Sequence, residues 1–258
     1  GSTNPYINFP DIAKFGFDLP PLDQQRRIAK ILWVLDEAIT ANEILRSELA
    51  TFCRLATRQA LAEGKLHDGR KLKSSTWREV KLGDVCDLRN GRGFAASEWS
   101  ETGLPIIRIQ NLNGSKEFNH FAGEPELSWI VEPGTLLFAW AGVRGISFGP
   151  CVWSGPRGVL NQHIFRIVPN EGINQQWLYE TLRVITAQIE KKAHGFKIEL
   201  VHVRRADITD QVIRLPSEDD QNELARYANA MSEAESSTES EIQALSSVLK
   251  ACLNSIFV

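Results

Sequence analysis

Four segments of this 258-residue chain combine Arg, Asn, Gln and Gly in a pattern suited to contact with base edges. They are Arg89-Asn90-Gly91-Arg92-Gly93-Phe94, Arg108-Ile109-Gln110-Asn111-Leu112-Asn113, Gly142-Val143-Arg144-Gly145-Ile146-Ser147, and Gly155-Pro156-Arg157-Gly158-Val159-Leu160-Asn161-Gln162-His163. An arginine fork matches the paired acceptors of guanine, and an Asn or Gln amide matches the donor and acceptor of adenine, as readout in a major groove requires. The leading candidates are Arg92, Arg144, Arg157, Asn161, Gln162 and His163, with Arg89, Arg108, Gln110, Asn111 and Ser147 on the same loops. Lys191-Lys192, Lys197, Arg204 and Arg205 are suited to phosphate neutralisation, which positions a protein without specifying sequence. Each loop taken alone reads equally well as a solvated turn.

Other chemistries lack their parts. Gly91-Arg92-Gly93 has no third glycine and no following helix pattern, and no Gly-x-x-x-x-Gly-Lys-Ser/Thr loop occurs. Asn4-Pro5-Tyr6 lacks the second proline of the Asn-Pro-Pro-Tyr loop of DNA adenine methyltransferases and reads as a turn. The five histidines and four cysteines (Cys53, Cys86, Cys151, Cys252) show no metal spacing, so reduced, part-buried thiols are expected and no metal site is. No Ser or Cys sits in a nucleophile elbow, which argues against an enzyme. A net charge of -3 argues against a uniformly basic nucleic-acid binder. With neither an apolar run of spanning length nor a signal-peptide pattern, no membrane partner is expected and a cytoplasmic location is.

The elements that must carry these loops are organised by an internal repeat. Asp11-Ile12 and Asp207-Ile208, Leu19-Pro20 and Leu215-Pro216, Gln25 and Gln221, Glu37-Ala38 and Glu233-Ala234, and Leu49 and Leu245 all lie 196 residues apart without a gap. The first copy predicts a long helix from about Asp23 to Glu63, entered through Pro20-Pro21 and closed by Gly64. Its expected seam is Ile28, Ile31, Leu35, Ala38, Asn42, Leu45, Leu49, Phe52 and Ala56, and the second copy repeats the 3-4 spacing with Leu224, Tyr227, Met231, Ala234, Thr238, Glu241, Leu245, Val248 and Cys252. Asn42 and Thr238 share one seam position, where a polar group can set coiled-coil register. Residues 21–74 hold ten Lys/Arg against seven Asp/Glu (+3), and residues 217–258 hold two against eight (-6), so the two helices suit one another as neighbours.

Between the helices, residues 65–76 read as a polar linker, and a domain of different texture begins at Trp77. Short apolar runs punctuated by Gly, Pro and Asn predict strands at residues 80–82, 105–109, 135–140 and 163–168. Asn174 to about Lys192 predicts a helix with Trp177, Leu178, Leu182, Ile185 and Ile189 on one face. The expected class is α+β: a globular mixed α/β domain, residues 77–216, flanked by two long helices, residues 21–64 and 217–258, that form an antiparallel coiled coil. Trp77, Trp99, Trp129, Trp140 and Trp153 read most simply as core or rim aromatics.

This arrangement resembles the specificity subunit of type I restriction-modification systems. The run from Phe17 through Leu32, with Pro20-Pro21-Leu22-Asp23-Gln24-Gln25 at its centre, is similar to the family's entry into its conserved long helix. Trp77-Arg78-Glu79-Val80-Lys81-Leu82-Gly83-Asp84-Val85-Cys86 is similar to the start of a target recognition domain, and Leu136 to Ile167 resembles the body of one.

The resemblance implies a non-catalytic subunit that reads double-stranded DNA. It implies docking of a modification subunit that carries S-adenosylmethionine and methylates adenine, with a restriction subunit joining for cleavage. The family normally has two recognition domains and this sequence shows one, so residues 1–20 are expected to be the tail of a first domain, and a homodimer through the long helices would supply two readers. A rival reading is a coiled-coil interaction protein whose globular domain binds a protein or a glycan through its tryptophans. Steep salt dependence marks phosphate contact and separates the two.

Overall fold

A computed structural model describes residues 8–14, 16, 19–192 and 200–257. In chain order these form a short helix α1 (Phe9–Ala13), a long helix α2 (Leu22–Glu63), strands β1 (Arg78–Lys81), β2 (Cys86–Asn90), β3 (Trp99–Ser100) and β4 (Leu104–Ile107), and helix α3 (Ile109–Leu112). Strands β5 (His120–Phe121), β6 (Ile130–Val131), β7 (Leu136–Ala139), β8 (Ala141–Val143), β9 (Gly149–Val152), β10 (Gly158–Leu160) and β11 (Ile164–Pro169) follow. Helix α4 (Gln175–Glu190), strand β12 (Leu200–His202), helix α5 (Arg205–Thr209), strand β13 (Val212–Leu215) and helix α6 (Glu218–Phe257) complete the order. The chain divides into two compact units, residues 1–53 with 231–258 and residues 54–230, so the division falls within both long helices.

The repeat is visible as structure at the same offset. α1 corresponds to α5 and the start of α2 to the start of α6, residue for residue. Gln25 Nε2–H donates to the Pro20 carbonyl (2.7 Å), and Gln221 Nε2–H donates to that of Pro216 (3.2 Å). Each bond closes the turn that a proline opens, where helix-entry groups lack intrahelical partners. Asn42 Nδ2–H reaches the Ala38 carbonyl and Thr238 Oγ1–H that of Ala234, so both seam polar groups are satisfied on their own helices. The copies differ in cover: Ile208 is fully buried and its counterpart Ile12 is 59% exposed.

In the first unit α2 and α6 run antiparallel. Arg46 ion-pairs with Glu239, and the Cys53 thiol lies 3.7 Å from the Met231 carbonyl, so the contacts ascend one helix as they descend the other. Ile28, Leu32, Leu35, Ile39, Asn42, Leu49 and Cys53 are half-buried or buried on α2, as are Met231, Glu235, Thr238, Ile242 and Leu245 on α6. The expected seam is corrected in phase. Ile31, Leu45, Phe52 and Val248 stand between 46% and 53% exposed, and Glu235 and Ile242 are more covered than the expected Ala234 and Glu241. The sequence of α2 carries two apolar stripes a residue out of step, and a period fixes spacing without fixing which stripe meets the partner.

In the second unit Gly64 ends α2 with φ +65°, a left-handed conformation that favours glycine. Strands β1 and β13 pair antiparallel, β12 pairs with β8, and two larger sheets run in the orders β3-β5-β4-β10-β6 and β2-β11-β7-β9. The last of these is antiparallel throughout, and β10 is parallel to β4. The expected strand at 105–109 stops at Ile107, because Arg108 leads into α3 and its N–H is taken by the Asn111 side chain (2.9 Å).

Ile107, Val131 and Leu160 of one large sheet pack with Leu137 and Ile164 of the other and with Trp153 as a single core cluster. Asn174 caps α4 by accepting the N–H groups of Gln176 and Trp177, and Trp177, Leu178, Leu182, Ile185 and Ile189 are buried. Leu137→Ala removes a fully buried side chain and costs about 2–5 kcal/mol in a urea titration, whereas Leu127→Ala, at an 83% exposed position, costs less than about 0.5 kcal/mol.

Candidate nucleic-acid interface

Asn161, Gln162 and His163 occupy the junction where the chain leaves β10 for β11 and so passes from one large sheet to the other. Their backbone is fastened from three sides. Asn161 N–H donates to the Ile107 carbonyl (3.0 Å), Arg92 N–H to that of Leu160 (2.8 Å), and Gly91 N–H to that of Ile164 (3.2 Å). Trp140 donates its backbone N–H to the His163 carbonyl and its indole N–H to that of Gln162, both at 3.2 Å. A Cβ at residue 91 would sit 2.1 Å from the Asn161 carbonyl oxygen, so the approach of these loops requires glycine there. Three of the four predicted loops, 89–94, 108–113 and 155–163, are brought together in this way.

Within the cluster Gln162 is exposed and Asn161 and His163 are half-buried. Arg92 is committed elsewhere: its guanidinium lies 4.9 Å from the ring centres of Phe94 and Trp129 and pairs with Glu98 (2.5 Å). The pairing and the Ala95 N–H hold the Glu98 carboxyl below its usual range. That geometry makes Arg92 a clamp on its loop rather than a displayed reader. Arg108 stacks 4.4 Å from the ring centre of Trp99, and Gln110 is exposed on α3. Asn111 is corrected outright: it is 5% exposed, its Oδ1 accepts the Arg108 N–H, and its Nδ2 donates to the carbonyls of Ser115 and Glu117.

The remaining candidates lie apart from the junction residues in their contacts. Exposed Arg144 sits on the turn after β8, 3.4 Å from Glu190, and Ser147 accepts the Val143 N–H (2.8 Å) to close that turn. Arg157 faces Glu132 at 3.2 Å. Arg89 and Arg205 share Asp87 (3.1 and 2.9 Å), and Arg205 also donates to the Leu88 carbonyl, which ties α5 to β2. Arg204 is exposed at the entry to α5 with its N–H on Asp207. Lys191 and Lys192 are exposed after α4, and Lys197 lies outside the described residues, as does Asn4-Pro5-Tyr6.

Sequence reasoning missed two residues at this junction. Trp140 stacks with His163, Phe165 and His202, and exposed His202 belongs to β12, whose pairing with β8 no local motif announces. The buried thiols are poor nucleophile candidates, since burial pushes Cys86 and Cys151 up to about 12. The clearance at the junction is directly testable. Gly91→Ala destabilises by about 1–3 kcal/mol in chemical denaturation, and Gly93→Ala, whose Cβ would find nothing nearer than 3.6 Å, is close to neutral.

Comparison with known proteins places the whole chain. Residues 1–50 and 74–245 match the model of the type I restriction modification DNA specificity domain, two stretches whose ends, 195 residues apart, fall within one residue of the repeat offset. Over 126 residues the chain is 29% identical to the MjaVIII specificity subunit of a type I restriction enzyme from Methanocaldococcus jannaschii, covering 46% of this chain and 29% of that protein. The HsdS subunit from Thermoanaerobacter tengcongensis superposes with a TM-score of 0.57 at 22% identity, over 100% of this chain and 64% of that one. A chain from a structural study of the assembly of a type I R-M system gives 0.64 at 22% identity, over 100% and 65%. The S subunit of M. genitalium gives 0.59 at 16% identity, over 92% and 61%. The chain spans under two thirds of each of these relatives. Because the family model covers most of its residues, the chain belongs to the type I restriction-modification DNA specificity domain family.

Proposed function

We propose that this chain reads one element of a DNA target for a type I restriction-modification complex. The observation that carries the reading is the junction at residues 161–163: side chains with base-reading chemistry stand on backbone tied from three sides by Ile107, Arg92 and Trp140. Preorganised donors and acceptors on a rigid turn discriminate between bases because they do not rearrange to suit the wrong one. Asn161, Gln162 and His163 are the base readers in this proposal, with Arg108 and Gln110 on the adjoining loop and Arg144 as a separate contact from the turn after β8. Arg157, Arg204, Lys191 and Lys192 supply phosphate contacts, and Arg89, Arg92, Asn111, Ser147 and Arg205 hold the loops.

In this reading the chain performs no chemistry itself. A modification subunit docks on α2 and α6, carries S-adenosylmethionine and methylates adenine, and a restriction subunit joins for cleavage. Two copies paired through their long helices would present two readers related by a twofold axis, which predicts a palindromic split target.

The test is to co-express the chain with its modification subunit and map methylated adenines across the host genome by single-molecule sequencing. A split motif, palindromic if one reader is used twice, is the expected result. No methylation, with the complex shown to be assembled and folded, would overturn the reading. Asn161→Ala and Gln162→Ala each cost about 1–3 kcal/mol on the cognate duplex and little on a scrambled one, while Arg204→Ala weakens both alike and lowers the salt slope by about one.

A further inference from the structure

Two histidines from distant parts of the sequence meet on one tryptophan. The ring centres of His163 and His202 lie 5.2 and 6.1 Å from that of Trp140 and 6.5 Å from each other. Trp140 is fixed to both segments, because its carbonyl accepts the Val203 N–H (3.1 Å) while its own N–H groups hold residues 162 and 163. His163 Nδ1 is buried with no hydrogen-bond partner, and its Nε2 lies 3.4 Å from the Gln162 amide. A buried ring nitrogen left unpaired costs folding free energy, and because Nδ1 is enclosed, a ligand can meet this ring only at Nε2.

Charged groups stand on the segments that carry and adjoin the pair. Arg204 follows His202 on the same segment, with its N–H on Asp207. Arg92 bridges to Asn161 from the facing loop and is neutralised by Glu98. Arg166 on β11 donates to the Ile130 carbonyl, and Arg89 on β2 pairs with Asp87. Among the described residues no carboxylate is hydrogen-bonded or ion-paired to either imidazole. Burial and the neighbouring His202 both push His163 below the ordinary imidazole value, so near neutral pH it is poised as the uncharged form.

We infer that His163 is a specificity-determining residue that donates as an imidazolium group, through Nε2, to the N7 acceptor of a guanine, so that target recognition takes up a proton. The inference rests on the DNA-reading function proposed above and names the base that His163 selects. An acceptor against the ring favours the charged form and raises its pKa in the complex. A group whose pKa is raised on binding strengthens binding below its free value and loses that gain as pH rises through its bound value. For an imidazole this window falls between about pH 6 and 8.

The experiment starts by selecting a preferred site from a random duplex pool with the chain assembled with its modification subunit. Binding of a fluorescent duplex carrying that site, and of a scrambled duplex of equal length, is then followed from pH 5.5 to 8.5 at fixed salt. Calorimetry in two buffers of different ionisation enthalpy reads proton uptake without any substitution. Expected are cognate binding about fivefold tighter at pH 6 than at pH 8 for a one-unit rise in His163, net proton uptake, and loss of both in His163→Gln. Replacing the contacted guanine by 7-deazaguanine removes the gain as well. Selective binding that is flat with pH and takes up no proton overturns the inference and leaves DNA reading intact. An equal pH response on the scrambled duplex assigns His163 to phosphate and also overturns it. Failure to select any site sinks both readings together.

Discussion

The fold turns on a change of sheet. Leu160 ends a strand of one large sheet and Ile164 begins a strand of the other, yet both belong to the same core cluster with Ile107, Val131, Leu137 and Trp153. Burying those side chains from both layers in one cluster, at roughly 1.5–3 kcal/mol each, forces the chain to cross between the sheets within three residues. Asn161, Gln162 and His163 lie between the two strands as the chain crosses. Their backbone groups are claimed by neighbours: the Ile107 carbonyl takes the Asn161 N–H, and Trp140 reaches the carbonyls of Gln162 and His163. The same constraint that completes the core displays three polar side chains on a rigid turn.

What the sequence made legible follows from where each signal originates. Helix limits are set by local chemistry, and Pro20-Pro21, Gly64 and Asn174 mark them within a residue of the observed ends. The repeat is also local information copied once, and it reappears down to the Gln25 and Gln221 bonds onto prolines five residues earlier. The phase of the coiled-coil seam is not local. Ile31 and Leu32 have similar hydrophobicity, and only the position of α6 leaves Ile31 53% exposed while covering Leu32 more. Period alone contains no term for that choice.

The candidate site divides along the same line. Glycine-rich loops with Arg, Asn and Gln were visible as residue types, and three of them do converge. Which side chains are displayed depends on partners far away in the chain. Asn111 looks like a reader until the carbonyls of Ser115 and Glu117 and the Arg108 N–H take every polar atom of its amide. His202 looks like nothing, because its significance comes from the pairing of β12 with β8, some sixty residues earlier, which carries it to Trp140.

A consistent pattern emerges in how charge is used at the junction. Arg92, a leading candidate from sequence, and Arg205, a phosphate candidate, are spent on the fold, Arg92 on Glu98 and three aromatic rings and Arg205 on Asp87 and the Leu88 carbonyl, while Arg166 is held by the Ile130 carbonyl. The groups left closest to the turn are amides and imidazoles. A chain with a net charge of -3 gains little long-range attraction for a polyanion. Under the proposed function, this separates the two requirements of recognition. Amide and imidazole groups on a fixed turn supply discrimination, and most of the phosphate neutralisation that gives affinity falls to the subunits the chain assembles with. A reader built this way holds DNA weakly by itself and discriminates most strongly once a partner has brought the duplex to it.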